Sequence, residues 1–150
     1  MMHLSMKARE LPGRITTGAY ILHAGLDKRN ADEGHAKAVH GMAAGAFPFL
    51  ARVEPSRFVR LLANSEIAIG AALLAPVVPG GLAGVALTGF AGGLVAMYGR
   101  TPALRKPGSI WPSQAGTGVS KDVWMLGIGL GLVAWSLRKG PGSDNERAGG

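Results

Sequence analysis

The chain contains no cysteine. Disulfide bonds, thiol nucleophiles, iron–sulfur clusters and zinc sites built on thiolates are therefore excluded within its 150 residues. Any redox chemistry nearby has to be carried out by a bound cofactor or by a partner protein. The sequence also lacks a glycine-rich phosphate loop and a Ser/His/Asp arrangement, so nothing supports nucleotide or hydrolase chemistry of the soluble type.

Acidic residues are scarce, with 9 Asp and Glu against 16 Lys and Arg, and the formal net charge is +7. A basic excess sometimes indicates nucleic-acid binding, but here the basic residues form no dense run and no patch interleaved with aromatic side chains. They flank the apolar segments, where Lys and Arg meet anionic lipid headgroups. The pattern favours the lipid bilayer as a partner and predicts no nucleic-acid partner.

Charge is absent from residues 67–99, a run of 33 positions that also lacks histidine. A single helix of this length would reach about 50 Å, well beyond a hydrocarbon core of ~30 Å. Pro76 and Pro79, the latter followed by two glycines, predict a break near the middle. We therefore expect two membrane-spanning helices, over residues 61–78 and 82–98, joined by a short turn.

Two shorter apolar runs complete a predicted bundle of four transmembrane helices. Residues 15–26 fit a signal-peptide core, an interfacial helix or a short span by length alone. No small-x-small cleavage site follows before Asp27, and the basic ends lengthen the segment, so we favour a span. Residues 123–137 form the last span, which is short and is lengthened by Arg138 reaching to the interface.

Residues 27–60, between the first and second spans, are polar but contain a predicted amphipathic helix. Its apolar residues recur at helical spacing: Val39, Met42, Ala43, Ala46, Phe47 and Leu50. Pro48 argues against an uninterrupted span, so this helix is expected to lie at the membrane surface. Ser56 is a candidate cap for the helix that follows.

The chain as a whole reads as one transmembrane domain over residues 1–138. Residues 139–150 consist largely of Gly, Pro and charged side chains and are expected to be a disordered tail. With four spans, ten basic residues lie on the side of the two long loops and six on the other side. This distribution favours a cytoplasmic position for the long loops.

Glycines are spaced for close helix packing in the third and fourth predicted spans. Gly84 and Gly92 lie on one stripe of small residues, and Gly127 and Gly131 form a GxxxG motif. Small residues let helix backbones approach closely in lipid, where dispersion forces drive association. The stripe either docks a partner subunit or packs within the chain, and packing within the chain is the favoured interpretation.

Ionisable side chains within or near spans are the candidates for chemistry. Antiparallel threading places the start of the second span beside the end of the first and the start of the fourth. We therefore predict a polar rim site formed by His23, Lys28, Glu66 and Lys121. Such a site suits proton transfer or contact with a quinone carbonyl; alternatively, Glu66 pairs with a lysine for structure near the positive end of its helix.

A metal or haem site is not expected from the histidines. Only His23 lies in a predicted span, whereas bis-histidine haem ligation needs two histidines on facing helices. His35 and His40 are five residues apart, which departs from the i,i+4 spacing that favours a helical metal site.

Two motifs of the apolar helices resemble one family of membrane proteins; they are Arg14-x-x-x-Gly18-x-x-x-x-x-x-Gly25-x-x-Lys28 and Glu66-x-x-x-Gly70. They are similar to the first and second helices of the DoxX-like proteins, and the likeness continues over about residues 11–138. The chain departs from the family in its long 27–60 segment and in lacking a basic residue in the turn after the second helix. The resemblance implies a four-helix, multi-pass protein of the bacterial cytoplasmic membrane.

The same resemblance implies a function, since the family takes its name from a small subunit of a thiosulfate:quinone oxidoreductase. The expectation is a non-catalytic or quinone-contacting subunit of a membrane oxidoreductase complex, with quinone as the one candidate cofactor. No catalytic residue is assigned, and catalysis by the chain alone is not expected. The alternative is a stand-alone small transporter or lipid-interacting membrane scaffold. A shared fold does not by itself transfer function.

Overall fold

The computed structural model describes residues 8–120 and 122–138. Within this part of the chain the regular structure is helical, with one isolated antiparallel bridge and no strand. The α-helices are α1 (Leu11–Arg29), α2 (Glu33–Ala46), α3 (Pro55–Leu74), α4 (Gly80–Arg100), α5 (Thr117–Ser120) and α6 (Asp122–Arg138), with 3-10 turns at Pro48–Arg52 and Pro102–Leu104. The predicted all-α class is confirmed. Lys121 and the predicted disordered tail, residues 139–150, lie outside the described residues.

The four long helices form two antiparallel pairs, and α1 packs against α3 in the first. Gly18 lies beside Gly70, and Gly25 lies beside Ala63. A Cβ atom added to Gly25 would come within 2.8 Å of the Ala63 carbonyl oxygen. The two backbones are therefore in direct contact, which requires glycine at these positions.

The second pair is formed by α4 and α6, again through glycine. A Cβ added to Gly84 would come within 2.9 Å of the Gly129 carbonyl oxygen, so the prediction that Gly84 lies in a helix contact agrees with the structure. Gly92 lies at the margin, with a side-chain atom of Leu126 at 4.0 Å from its added Cβ. The contact is made within the chain, as favoured from the sequence.

The GxxxG motif of α6 does not form this contact. A Cβ added to Gly127 or Gly131 would meet no atom of another helix within 4 Å, so these two glycines do not pack against another helix of the described chain. Gly129 is the contacting residue instead. At about 100° per residue, Gly127 and Gly131 both point some 160–200° away from Gly129, so the motif lies on the opposite face of α6.

Buried positions in the long helices recur alternately three and four residues apart. They include Gly18, Ile21 and Gly25 in α1, Ala63, Glu66, Gly70 and Leu73 in α3, and Asp122, Met125, Gly129 and Leu132 in α6. This heptad spacing is typical of coiled-coil packing. The core between the two pairs joins side chains of all four helices, among them Ile21, Leu73 and Leu87.

The predicted break at Pro76 and Pro79 is confirmed, but its position differs from the expected bounds. The helix predicted over residues 61–78 is α3, which begins at Pro55 and ends at Leu74. The buried Arg14 guanidinium donates to the carbonyl oxygens of Leu73 at 2.8 Å and of Val78 at 3.0 Å, together with those of Ala72 and Ala75. These bonds satisfy backbone carbonyl groups at the end of α3, so the helix ends at Leu74 and not at the predicted residue 78.

The start of α3 also differs from the prediction. Ser56 lies inside the helix, whose N-cap position is Glu54 with no side-chain capping bond. Pro55 occupies the first helical position, where its fixed φ favours helix and its missing N–H costs nothing. The capping role assigned to Ser56 is therefore wrong.

The amphipathic helix predicted between the first two long helices is α2. Asp32 caps it by accepting the His35 backbone N–H at 2.7 Å, and it ends just before Pro48. Its buried residues, Ala36, Ala43 and Ala46, face the rest of the protein. The helix lies across the end of the bundle opposite the Pro76–Pro79 turn.

Among the described residues one helix, α4, is long and apolar enough to cross a membrane by length and composition. The other long helices differ from it for identifiable reasons. α1 and α3 carry charged residues near their ends and within them, and α6 has 17 residues. A bundle of four spans is thus a proposal.

Candidate ligand cavity

A cavity of about 550 Å³ lies beneath α2, at the end of the bundle opposite the Pro76–Pro79 turn. All the long helices contribute to its walls. The lining is mostly apolar and rich in rings and flexible side chains, including Tyr20, Met42, Phe47, Phe58, Leu62 and Phe90. Pockets of this size and composition are typical of small-molecule sites in proteins.

An ion pair between Lys28 and Glu66 lies in the wall of this cavity. The Lys28 ammonium donates to Oε1 of Glu66 at 3.0 Å, and the Glu66 side chain is only 8% exposed. A buried carboxylate requires a partner because removing it from water is costly. The pair therefore places charged, hydrogen-bonding groups in a wall that is mostly apolar.

The heptad pattern of α1 explains why Lys28 reaches this site. Lys28 follows Gly25 by three residues and Ile21 by seven, so it continues the face of α1 that packs on α3. Glu66 occupies the matching face of α3, between Ala63 and Gly70. The sequence prediction that these two side chains meet agrees with the observed contact.

The predicted stabilisation of Glu66 by the positive end of its helix is wrong. Because α3 begins at Pro55, Glu66 is eleven residues into the helix, roughly 16 Å from its start. The positive end of a helix acts only within the first turn, so it does not stabilise this carboxylate. Of the predicted structural role, the pairing of Glu66 with a lysine, here Lys28, agrees with the structure.

His23 does not join the predicted site. Its side chain is 75% exposed, and Nε2 lies 3.3 Å from a carboxylate oxygen of Asp27 on the same helix. Two residues beyond the buried Ile21, it points about 200° away from the face that packs on α3. Lys121, the fourth predicted member, lies outside the described residues.

Asp122 is a wall residue that the predicted site omits. It is buried, 5% exposed, at the start of α6 and lines the same cavity as Lys28 and Glu66. Its signal in the sequence is its spacing, seven residues before Gly129 on the buried face of α6. The aromatic residues of the lining carry no comparable signal because they come from separate helices.

The lid formed by α2 is fixed at its C-terminal end. His40 Nε2 lies 2.9 Å from the Leu50 carbonyl oxygen, and the Arg100 guanidinium stacks 5.0 Å from the centre of the Phe47 ring. These contacts join α2 to the 3-10 turn and to α4. They keep the apolar face of α2 over the cavity.

The outer face of α2 carries an ion pair between Glu33 and Lys37, 2.7 Å apart. The hydrogen bond and the charge of Lys37 lower the pKa of the Glu33 carboxyl from its ordinary value. Both side chains are exposed, and neither residue lines the cavity. Titration of Glu33 therefore leaves the charge inside the cavity unchanged.

The chemistry available in the cavity is hydrogen bonding next to apolar surface. The Lys28 ammonium has three N–H donors and uses one toward Glu66 Oε1. A carbonyl or hydroxyl of a bound molecule would suit the others. In the part of the chain that the structure describes, no three His, Asp or Glu side chains converge in a manner suited to a metal ion.

No protein-family model, curated protein or solved structure matches this chain. The resemblance to the DoxX-like proteins therefore stays a prediction based on the residue pattern of the apolar helices.

Proposed function

We propose that the chain is a multi-pass integral membrane protein that binds a lipophilic molecule with a polar head in the cavity beneath α2. A quinone is the ligand class that the DoxX-like resemblance implies. The protein would act as a non-catalytic subunit of an oxidoreductase complex in the bacterial cytoplasmic membrane. The observation that carries the proposal is a buried ion pair in the wall of a mostly apolar cavity.

The exposed surface of the long helices supports a membrane location. Large apolar side chains at least half exposed occur on each of them: Ile15 on α1, Leu61 on α3, Leu82 on α4 and Trp124 on α6. Only 28% of the apolar 18-residue stretch of α4 is buried inside the protein, whereas the core helix of a soluble protein is mostly buried. Lipid is the solvent that suits such a surface.

Helix length is compatible with four spans. At ~1.5 Å per residue, α1 and α6 extend about 28 and 26 Å, close to a hydrocarbon core of ~30 Å. Arg29 and Arg138 end these helices and can extend to the headgroups. In this arrangement α2 and the loop after α4 share the more basic side, which is expected to be cytoplasmic.

Two features of the cavity favour a quinone as its ligand. Its aromatic residues Phe47, Phe58 and Phe90 offer surfaces for a planar ring and an isoprenoid chain. Lys28 supplies a donor for a quinone carbonyl, with Glu66 holding the ammonium in place. Because the chain has no cysteine, electrons would pass between the quinone and a partner subunit.

The test is to measure quinone that co-purifies with the protein from bacterial membranes in mild detergent. Ala38→Trp adds an indole at a residue that lines the cavity, and Ala51→Trp adds the same group at a residue that does not; both positions are exposed. We expect about one quinone per chain in the wild type and in Ala51→Trp, and at least fivefold less in Ala38→Trp, as expected for a filled pocket.

The same purification tests the proposed partner. Oxidoreductase subunits should be recovered with the wild-type chain. Equal quinone in both tryptophan variants, or no quinone in any of them, would overturn the ligand assignment. Recovery of the chain without quinone and without oxidoreductase subunits would favour the alternative function of a lipid-interacting scaffold.

A further inference from the structure

A second depression, of about 460 Å³, lies next to the cavity at the same end of the bundle and is here called the basic groove. It is formed where α1 ends and where α2 and α3 begin, and it shares Lys28 with the cavity. Its lining is mainly polar and includes Arg29, Ser56, Arg60 and Asn64. The proposed quinone site does not use these four residues.

Two acidic residues, Asp32 and Glu33, also line the basic groove, and each has a partner on α2. The Asp32 carboxylate accepts the His35 backbone N–H at 2.7 Å, and Glu33 pairs with Lys37. Lys28 is held by Glu66. Asp32 and Glu33 therefore each have a partner on α2, and Lys28 has its partner in the cavity wall.

Arg29 and Arg60 are not engaged in the same way. Within residues 8–120 and 122–138, neither guanidinium forms an ion pair or a hydrogen bond. The basic groove thus presents two guanidinium groups without an ion-pair partner, together with the hydroxyl of Ser56 and the amide of Asn64. Guanidinium groups bind phosphate oxygens in a bidentate geometry, and hydroxyl and amide groups add donors.

The position of the basic groove indicates which phosphate would reach it. Arg29 ends α1, and Arg60 immediately precedes Leu61, from which α3 becomes largely apolar. In a membrane these residues lie at the level of the lipid headgroups. We propose that the basic groove binds a phosphate group through Arg29 and Arg60, and that a phospholipid headgroup is the source which this position favours.

The test is a titration of the full chain in detergent with dioleoylphosphatidylglycerol, compared with dioleoylglycerol, which lacks the phosphate. Binding is counted by native mass spectrometry. The groove variant is Arg29→Gln/Arg60→Gln, and the control is Arg52→Gln/Arg57→Gln. The control removes the same charge from exposed arginines that do not line the basic groove.

We expect one saturable phosphatidylglycerol per chain in the wild type and the control, and no comparable binding of dioleoylglycerol. In the groove variant the affinity should fall about tenfold or more, because two charge-assisted contacts are lost. Equal affinity in the groove variant and the wild type would overturn the proposal. Equal losses in both double variants would also overturn it, since they would reflect net charge alone.

A competition arm identifies the source of the phosphate. Displacement of the lipid by millimolar glycerol 3-phosphate would assign the basic groove to soluble phosphate compounds, and resistance to it would assign the groove to lipid. Circular dichroism checks folding of the variants. If the variants fold poorly, equal binding of the two lipids by the wild type would still overturn the proposal. Quinone retention should not change in the groove variant, because Arg29 and Arg60 do not line the cavity; the two sites can therefore fail separately.

Discussion

At the scale of single residues, the contact between Lys28 and Glu66 joins α1 to α3 in the wall of the cavity. Helix order and antiparallel threading placed the two side chains at one level of the bundle, and the heptad face brought them into contact. His23 shares that level but lies on another face of α1. The depth of a residue in the bundle follows from counting residues along the helix. The direction of its side chain depends on which neighbouring helix packs against it, and the sequence does not specify that neighbour.

Removal of either partner should destabilise the protein, because a buried charge would remain without its counterion. We expect Lys28→Met to cost about 3 kcal/mol, and Glu66→Gln somewhat less, since the Lys28 side chain is 23% exposed and can turn toward water. Lys28→Met/Glu66→Gln should recover part of the loss. Thermal unfolding in detergent measures these differences, with Glu33→Gln as a surface control.

The outcome also distinguishes structure from chemistry at Glu66. A structural pair gives the partial recovery described above. A chemical role predicts instead that Glu66→Gln keeps normal stability while redox coupling in the parent complex is lost. Normal stability together with normal activity would show that Glu66 is not a site of either kind.

At the scale of helices, local patterns predicted which elements exist but not how they face one another. The prolines located the break between α3 and α4, and the apolar spacing located α2. The early end of α3 could not be predicted, since it depends on Arg14, which is some 60 residues distant in sequence. The GxxxG motif in α6 was equally uninformative about direction, because glycines occur on two of its faces.

The two glycine faces of α6 provide a matched comparison. Gly129→Leu should separate α4 from α6, because even a Cβ at this position would lie 2.6 Å from the Thr88 hydroxyl. Gly131→Leu should have little effect on the pair, since its added Cβ meets no neighbouring atom within 4 Å. The melting temperature in detergent should fall by several degrees or more for Gly129→Leu only.

A different result at these positions would be informative. A strong loss in Gly131→Leu would indicate that the outer face of α6 is covered by another protein. Unchanged stability of Gly129→Leu would contradict the backbone contact between α4 and α6.

At the scale of the whole molecule, the two ends of the bundle differ. One end holds the short turn with Val77, and the other holds α2, the 3-10 turn with Ala51 and the loop with Gln114. If the bundle spans the bilayer, these ends face opposite compartments. The absence of cysteine makes this arrangement directly measurable.

Single cysteines introduced as Val77→Cys, Ala51→Cys and Gln114→Cys should separate into two classes. With the basic end in the cytoplasm, a membrane-impermeant maleimide should label Val77→Cys in intact spheroplasts. The other two should react only after permeabilisation. Identical labelling of all three would contradict the four-span topology, and release of the chain by carbonate washing would exclude an integral membrane protein altogether.

The Arg14 contact with the end of α3 has a consequence for the order of biosynthesis. Arg14 is wholly buried, and its carbonyl partner on Leu73 is 59 residues later in the chain. At ~5–20 residues per second, a ribosome needs about 3–12 s to supply that partner. During this interval the guanidinium has no native acceptor at the end of α3, so α1 should stay at the translocon or the lipid surface. Its final insertion is therefore expected to coincide with that of α3, even though α1 is synthesised first.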